Sequence, residues 1–223
     1  MLPEGALAPL LLTLQVSGIA TLVALALGAS VALVFARRDF PGRDWLDALL
    51  TLPMVLPPTV LGYYLLVLLG RHGPIGQWLQ SSFGISLIFT WQGAVVASAI
   101  VCFPLVFKSA RAAFEGVDHT IENAARTLGL PEIGVFVRIT LPLAWRGILA
   151  GTLLGFARAM GEFGATLMVA GNLPGRTQTL SLAIYDAVQA GNDPLANALV
   201  LITSLTCVLI LVLSSRMLKL RDA

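Results

Sequence analysis

The sequence predicts an all-α integral membrane protein with about five transmembrane helices. Hydrophobic residues make up 57% of the chain and charged residues only 12%, which is about half the charged fraction of an average soluble domain. Four long stretches contain no charged residue at all. With so little polar surface to cover a globule, much of the chain must be solvated by lipid.

The spans follow from these uncharged stretches, because a helix needs about 20 mostly apolar residues to cross the hydrocarbon core. They predict spans at 7–36, 48–70, 85–107 and 194–215. A fifth span is predicted at 143–170, although it contains Arg146, Arg158 and Glu162. The first run is longer than a secretory signal core and has no basic flank, so we expect it to be retained. We therefore expect residues 1–223 to form one transmembrane domain.

The basic residues predict the orientation of these spans. Cytoplasmic segments of membrane proteins carry an excess of Lys and Arg. With the N-terminus outside and the C-terminus in the cytoplasm, eleven of the fourteen Lys and Arg residues fall on the cytoplasmic side. Only Arg71 and Arg176 fall outside, and Arg158 lies within a span.

The second span is interrupted by Pro57 and Pro58, which are followed by Thr59. Consecutive prolines remove backbone donors and break or kink a helix. Such breaks are tolerated at membrane depth where they line a cavity or are buried in protein. We expect either a bend that shapes a pathway, with Thr59 as a hydroxyl donor, or a kink that serves packing.

The fifth predicted span, fourth in chain order, carries two opposite charges four residues apart, Arg158 and Glu162. Residues at this spacing share a helix face and can pair. An isolated charge at mid-membrane costs roughly 2.5–3.5 kcal/mol, so its presence indicates a functional role. Two interpretations stay open. Arg158 offers its charge to a passing anion, or the pair neutralises itself as part of the structure or a gate.

Three glycines open the same span at four-residue spacing, Gly147, Gly151 and Gly155. Repeated small residues of this kind let two helices approach closely. We expect tight packing within the bundle or between two copies of the chain.

Residues 108–142 form the longest cytoplasmic connection, and helix formers dominate it. Ile121, Ala124, Ala125 and Leu128 recur at helical spacing on what we expect to be one face. Asp118 can cap this helix and Gly129 can end it in a left-handed turn. The helix packs under its own bundle, or it docks onto a soluble partner.

This segment resembles the EAA signature of ABC importer permeases, which is Glu-Ala-Ala, then a Gly, nine residues, and Ile-x-Leu-Pro. The matching residues are Ala124, Ala125, Gly129, Ile139, Leu141 and Pro142. One departure is that Asn123 stands at the signature's Glu position, with Glu122 one place earlier.

The resemblance implies a type I ABC importer permease fold in a cell inner membrane. It also implies that the loop 108–142 couples the spans to a separate ATPase. Two copies of this chain, two ATP-binding subunits and a periplasmic binding protein would form the complex, with no nucleic acid involved. The chain itself has no GxxxxGK[ST] phosphate loop, so we expect ATP and magnesium on the partner and no cofactor, metal or enzymatic activity here.

Longer stretches resemble permeases of molybdate importers in particular. They begin at Phe40, Phe114 and Gly155 and together cover most of the chain. Sulfate and tungstate permeases share the LPP and GEFGA segments within them, so these anions are the alternatives. A self-sufficient secondary carrier is a further alternative, but such carriers usually show two repeated halves.

Overall fold

The computed structural model describes residues 6–219, and every regular element in that range is helical. In chain order the elements are α1 Leu7–Arg37, α2 Arg43–Val55, α3 Pro58–Leu69, α4 Pro74–Phe83, α5 Trp91–Glu115, α6 His119–Thr127, α7 Glu132–Val135, a π-helical turn Phe136–Thr140, α8 Leu141–Met160, α9 Gly164–Ala170, α10 Leu180–Gln189 and α11 Asp193–Lys219. The all-α prediction is confirmed. The predicted placement of the two chain termini and of Arg221 falls outside the described residues.

Within that range, four helical runs are long and apolar enough to cross a membrane. They are Leu7–Arg37, Trp91–Glu115, Glu132–Met160 and Asp193–Val212. The pair α2 and α3 would supply a fifth crossing, but the two helices are bent by 113° at their junction. The break falls at Leu56 and Pro57, because Pro57 lacks the N–H that would continue α2 after the bond from Leu56 N to Leu52 O.

The helices α1, α5 and α8 form the centre of the bundle. Phe107 is fully buried and meets the ring of Phe35 edge-on at 5.2 Å. Phe103 stacks on Phe107 at 5.9 Å. Edge-on and offset contacts of this kind are the favoured arrangements of aromatic rings. This aromatic cluster fixes the ends of α1 and α5 next to the segment that leads to α6.

The three glycines of α8 pack against α5 within the same chain. A Cβ added at Gly147 would lie 2.6 Å from Ala113 Cβ, and one added at Gly151 would lie 2.3 Å from Ser109 Cβ. At Gly155 the nearest atom, a methyl of Val106, would lie at 2.9 Å. The glycines therefore allow a helix contact that a larger residue would block, as the spacing predicts.

The helix that covers most of the predicted third span, 85–107, begins and ends later in the chain than that span. Residues 85–90 are not helical, and α5 runs from Trp91 to Glu115. At its start, Thr90 accepts a hydrogen bond from Gly93 N at 3.1 Å and so caps the helix. At its end, Arg111 pairs with Asp47 of α2 at 2.7 Å. This pairing lets charged residues continue the helix beyond the apolar run.

The predicted span 143–170 does not correspond to one continuous helix. The helical run begins at Glu132, passes through the π-helical turn and ends at Met160. Gly161, Glu162 and Phe163 interrupt it before α9 begins. The break is stable because Glu162 Oε1 accepts from Ala165 N at 2.8 Å and takes the place of a helical carbonyl.

These helix bounds divide the segment that was predicted as the coupling loop. Of residues 108–142, the first eight continue α5 and the last eleven belong to the next helical run. Only residues 116–131 connect the two, and α6 occupies most of that connection.

Candidate functional site

The helix α6 begins and ends where its sequence predicts. Asp118 Oδ1 accepts from Thr120 N at 2.7 Å, which caps the first turn. Beyond Leu128, Gly129 takes the left-handed conformation with φ +87°. Leu130 N then donates to Ala125 O at 3.2 Å and closes the end of the helix. The predicted cap and turn are confirmed.

The outward surface of α6 carries an apolar stripe. The side chains of Ile121 and Leu128 are 47% and 82% exposed, and Ala124 is exposed between them. Ala125 is buried, so the predicted single face containing Ala125 is wrong. The reason is that Ala125 lies three residues after Glu122, on the inward stripe, whereas positions 121, 124 and 128 form the outward stripe.

Glu122 points into the protein. Its side chain is 1% exposed, and both carboxylate oxygens accept from the guanidinium of Arg37 at the end of α1. Thr140 Oγ1, at the end of the π-helical turn, donates to Oε1 at 2.5 Å. His119 Nδ1 lies 3.3 Å from Oε2. Burial raises the pKa of Glu122, but the hydrogen bonds and charge of Arg37 and the bond from Thr140 outweigh it and lower the pKa to about 2.

Asn123 occupies the signature's acidic position on the exposed side of α6. Its side-chain Oδ1 accepts from Arg126 Nη1 at 2.8 Å. Arg126 also pairs with Glu132 at 2.7 Å, with Glu132 75% exposed. The two neighbouring positions thus have opposite surroundings, Glu122 inside and Asn123 at the surface.

The remaining signature residues lie apart from α6. Ile139 is in the π-helical turn, and Leu141 and Pro142 are the first two residues of α8. Both residues follow the π-helical turn within one helical run, Glu132–Met160, in which Pro142 supplies no backbone N–H. The structure therefore places Ile-x-Leu-Pro at the start of a membrane span and not in a loop.

Arg158 and Glu162 form an ion pair with a separation of 2.8 Å between Nη1 and Oε2. They do not lie on one continuous helix, because Glu162 is in the break after α8. The Glu162 side chain is 1% exposed and that of Arg158 is 37% exposed. The acid is thus held inside the protein, and the base reaches its surface.

The two breaks in the spans contact each other. A Cβ on Gly164, at the start of α9, would lie 2.9 Å from Pro58 Cβ and 3.4 Å from Thr59 N. Pro57 caps α3, and Thr59 is exposed in its first turn. The candidate pathway residues of the second span therefore lie against the break that contains Glu162.

Two ionic clusters on the predicted cytoplasmic side were missed by sequence reasoning. One is the Arg37–Glu122 pair. The other joins α2 to α5, where Asp47 pairs with Lys108 and Arg111 and lies 2.5 and 2.7 Å from them. The only sequence signal for either was the concentration of opposite charges at span ends. Among residues 6–219 no group of three or more His, Cys, Asp or Glu side chains is arranged to hold a metal ion.

Comparison with known proteins matches this chain to membrane components of transport systems. Residues 7–223 match the family model of the binding-protein-dependent transport system inner membrane component. The chain is 47% identical over 205 residues to the molybdenum transport system permease protein ModB of Escherichia coli strain K12, covering 92% of this chain and 90% of that one. It is 48% identical over 178 residues to the protein of the same name from Haemophilus influenzae, covering 80% and 78%.

Two further comparisons bear on substrate and fold. The sulfate transport system permease protein CysT of Escherichia coli strain K12 is 37% identical over 172 residues, covering 77% of this chain and 62% of that one. A crystal structure of a bacterial alginate ABC transporter in complex with an alginate pentasaccharide-bound periplasmic protein matches with a TM-score of 0.77 at 17% identity. That match covers 96% of this chain and 78% of the other, and it indicates a shared fold.

Proposed function

The chain belongs to the family of binding-protein-dependent transport system inner membrane components, and we propose from this premise that it forms the membrane pathway of an ATP-driven importer for molybdate. It is a transporter subunit and not an enzyme. The observation that carries the proposal is the family match over residues 7–223, together with the exposed apolar stripe of α6 at the position of the signature.

The choice of molybdate rests on the relatives. Identity is 47–48% to proteins named for molybdenum transport and 37% to one named for sulfate transport. Molybdate and sulfate are both tetrahedral dianions, so a permease fold suited to one is chemically suited to the other. Sulfate, thiosulfate and tungstate remain the alternatives to be tested by competition.

We place α6 on the cytoplasmic side with the N-terminus outside. The excess of basic residues on that side supports this orientation. The exposed apolar stripe of α6 supports docking onto an ATP-binding subunit, which would also hold the ATP and magnesium. A periplasmic molybdate-binding protein would deliver the anion, in line with the periplasmic protein bound to the alginate transporter.

A second copy of the chain completes the pathway in this proposal. None of the thirteen residues of α2, all of which the structure describes, is buried. Leu49, Met54 and Val55 are 62%, 61% and 81% exposed. The helix α2 is the first half of the broken span. Since none of its residues is buried, its exposed apolar side chains require lipid or a second permease against them. Two permeases and two ATP-binding subunits would form the membrane-embedded importer.

The mechanism we propose is alternating access. ATP closes the two ATP-binding subunits and draws the two α6 helices together, which opens the spans toward the binding protein. Hydrolysis reverses the movement and releases the anion to the cytoplasm. ATP can shift this equilibrium only by binding one state better than the other, so α6 must transmit the difference.

We assign the gate to the contact between the two broken spans, at Pro57, Pro58, Thr59, Arg158 and Glu162. Glu162 neutralises Arg158, so the pair avoids an isolated charge in the membrane. An unpaired arginine would bind a dianion strongly, whereas conduction requires weak binding. Because Glu162 neutralises Arg158, we expect Arg158 to bind the passing dianion only weakly, as conduction requires.

The test is uptake of radiolabelled molybdate by proteoliposomes that contain the whole complex, with ATP inside and binding protein outside. We expect ATP-dependent uptake that excess sulfate leaves largely unchanged and unlabelled molybdate abolishes. Uptake of labelled sulfate without uptake of molybdate would overturn the substrate and leave the class of protein in place.

A further inference from the structure

The carboxylate of Glu122 joins three separate parts of the chain. It lies in the first turn of α6, it binds both terminal nitrogens of Arg37 in α1, and it accepts from Thr140 at the end of the π-helical turn. Through these contacts one side chain connects the docking helix to the ends of two membrane spans.

The geometry of the connection is restrictive. A bidentate guanidinium–carboxylate pair fixes the angle between its partners as well as their distance. The carboxylate is 1% exposed, so water has little access to replace either bond. By contrast, the Arg126–Glu132 pair of the same segment is at the surface, with Glu132 75% exposed, where exchange with solvent is easy.

The partner elements are those that a coupling movement would have to displace. Arg37 is the last residue of α1, and the Phe35 ring two residues earlier packs on Phe107 of α5. Thr140 ends a π-helical turn, a form that is rare and frequently found at functional sites. The α8 span follows directly after it.

We infer that Glu122 and Arg37 are positioning residues that form an internal strut, through which displacement of α6 by the ATP-binding subunit moves α1 and the start of α8 together. This inference rests on the proposed function and adds a division of roles within α6. The exposed side chains of α6 contact the ATP-binding subunit, and Glu122 transmits the movement inward. These exposed side chains are Ile121, Ala124 and Leu128.

The test compares single and double variants in the intact transporter complex. Glu122→Gln keeps the shape of the side chain and removes its charge, and Arg37→Gln removes the other partner. The double variant Arg37→Gln/Glu122→Gln leaves no unpaired buried charge, so it assembles better than either single variant. Glu132→Gln is the matched control, because it removes an acid from an exposed pair on the same segment.

The readout is the amount of molybdate imported per ATP hydrolysed, measured in proteoliposomes with equal amounts of assembled complex. For Glu122→Gln and for the double variant we expect this ratio to fall about tenfold, within the usual range of coupling between sites. Arg37→Lys keeps the charge but loses the bidentate contact, so its ratio should lie between those of the double variant and the unaltered protein. Glu132→Gln should match the unaltered protein.

Each other outcome has a defined meaning. An unchanged ratio in the double variant overturns the strut, even if yields fall. Failure of all three neutralising variants to assemble would assign the pair to folding alone and also overturn it. If the unaltered complex shows no ATP-dependent molybdate uptake, the proposed function fails first, and that result is visible before any variant is compared.

Discussion

The turn that ends α6 offers a perturbation whose size follows directly from the backbone. Gly129 has φ +87°, and among residues 6–219, apart from its two chain neighbours, none has an atom within 4 Å of where a Cβ would be. A side chain there meets no neighbour, so the whole penalty is conformational. It amounts to roughly 1–2 kcal/mol for Ala, less for Asn and more for a β-branched residue. A difference of that size changes an equilibrium about 5- to 30-fold.

The strain in the turn should therefore increase stepwise through three variants, Gly129→Asn, Gly129→Ala and Gly129→Val. We expect the molybdate imported per ATP hydrolysed to fall in that order, with the Val variant reduced at least about fivefold. Gly191→Val is the matched control, because Gly191 has φ +68° and equally open surroundings outside the coupling segment. Normal coupling in the Gly129→Val variant, or equal loss in the control, would refute the reasoning.

Three other predictions follow from the packing and charges. Gly151→Val should destabilise the protein by about 1–3 kcal/mol and lower its melting temperature in detergent, because α5 blocks the new side chain. Gly18→Ala should not, because no other described element has an atom within 4 Å of the added Cβ. Glu162→Gln leaves Arg158 without a counter-charge, at a cost of at most about 3 kcal/mol. The yield of this variant in membranes should therefore be lower than that of the double variant Arg158→Met/Glu162→Met. Equal yields of the two variants would contradict the ion pair. The pKa of Glu122 is lowered from 4.5 to about 2, so its stabilisation is complete above about pH 4.5 and is lost as the pH falls toward 2. Proteolysis of the α6 segment should therefore increase across that range. A Glu122→Gln variant should show a weaker dependence, which comes from the lowered pKa values of Asp118 and Glu132 in the same segment.

The sequence identified the spans that are uniformly apolar and failed where polar contacts decide the boundary. From residue 91 onward, the run 85–107 is the apolar part of α5. The helix continues to Glu115 because Arg111 pairs with Asp47 on another helix. Hydropathy contains no information about such a partner. The helix break at Glu162 was missed for the same reason, since its capping bond to Ala165 depends on a carboxylate buried between spans.

The candidate coupling helix was predicted more accurately than the surroundings of its residues. Asp118 and Gly129 determine the two ends of α6 through local bonds, which short-range sequence rules describe well. Whether Glu122 faces the ATP-binding subunit or the protein interior depends on Arg37, which is 85 residues away. A pattern of spacing along one helix cannot predict that contact.

The central claim is that a separate ATP-binding chain moves these spans through α6. It is tested most directly by measuring molybdate uptake into proteoliposomes with and without that chain, at equal amounts of this permease. Uptake should require the ATP-binding chain and internal ATP and should stop when either is left out. Full-speed uptake by the permease alone would contradict the account.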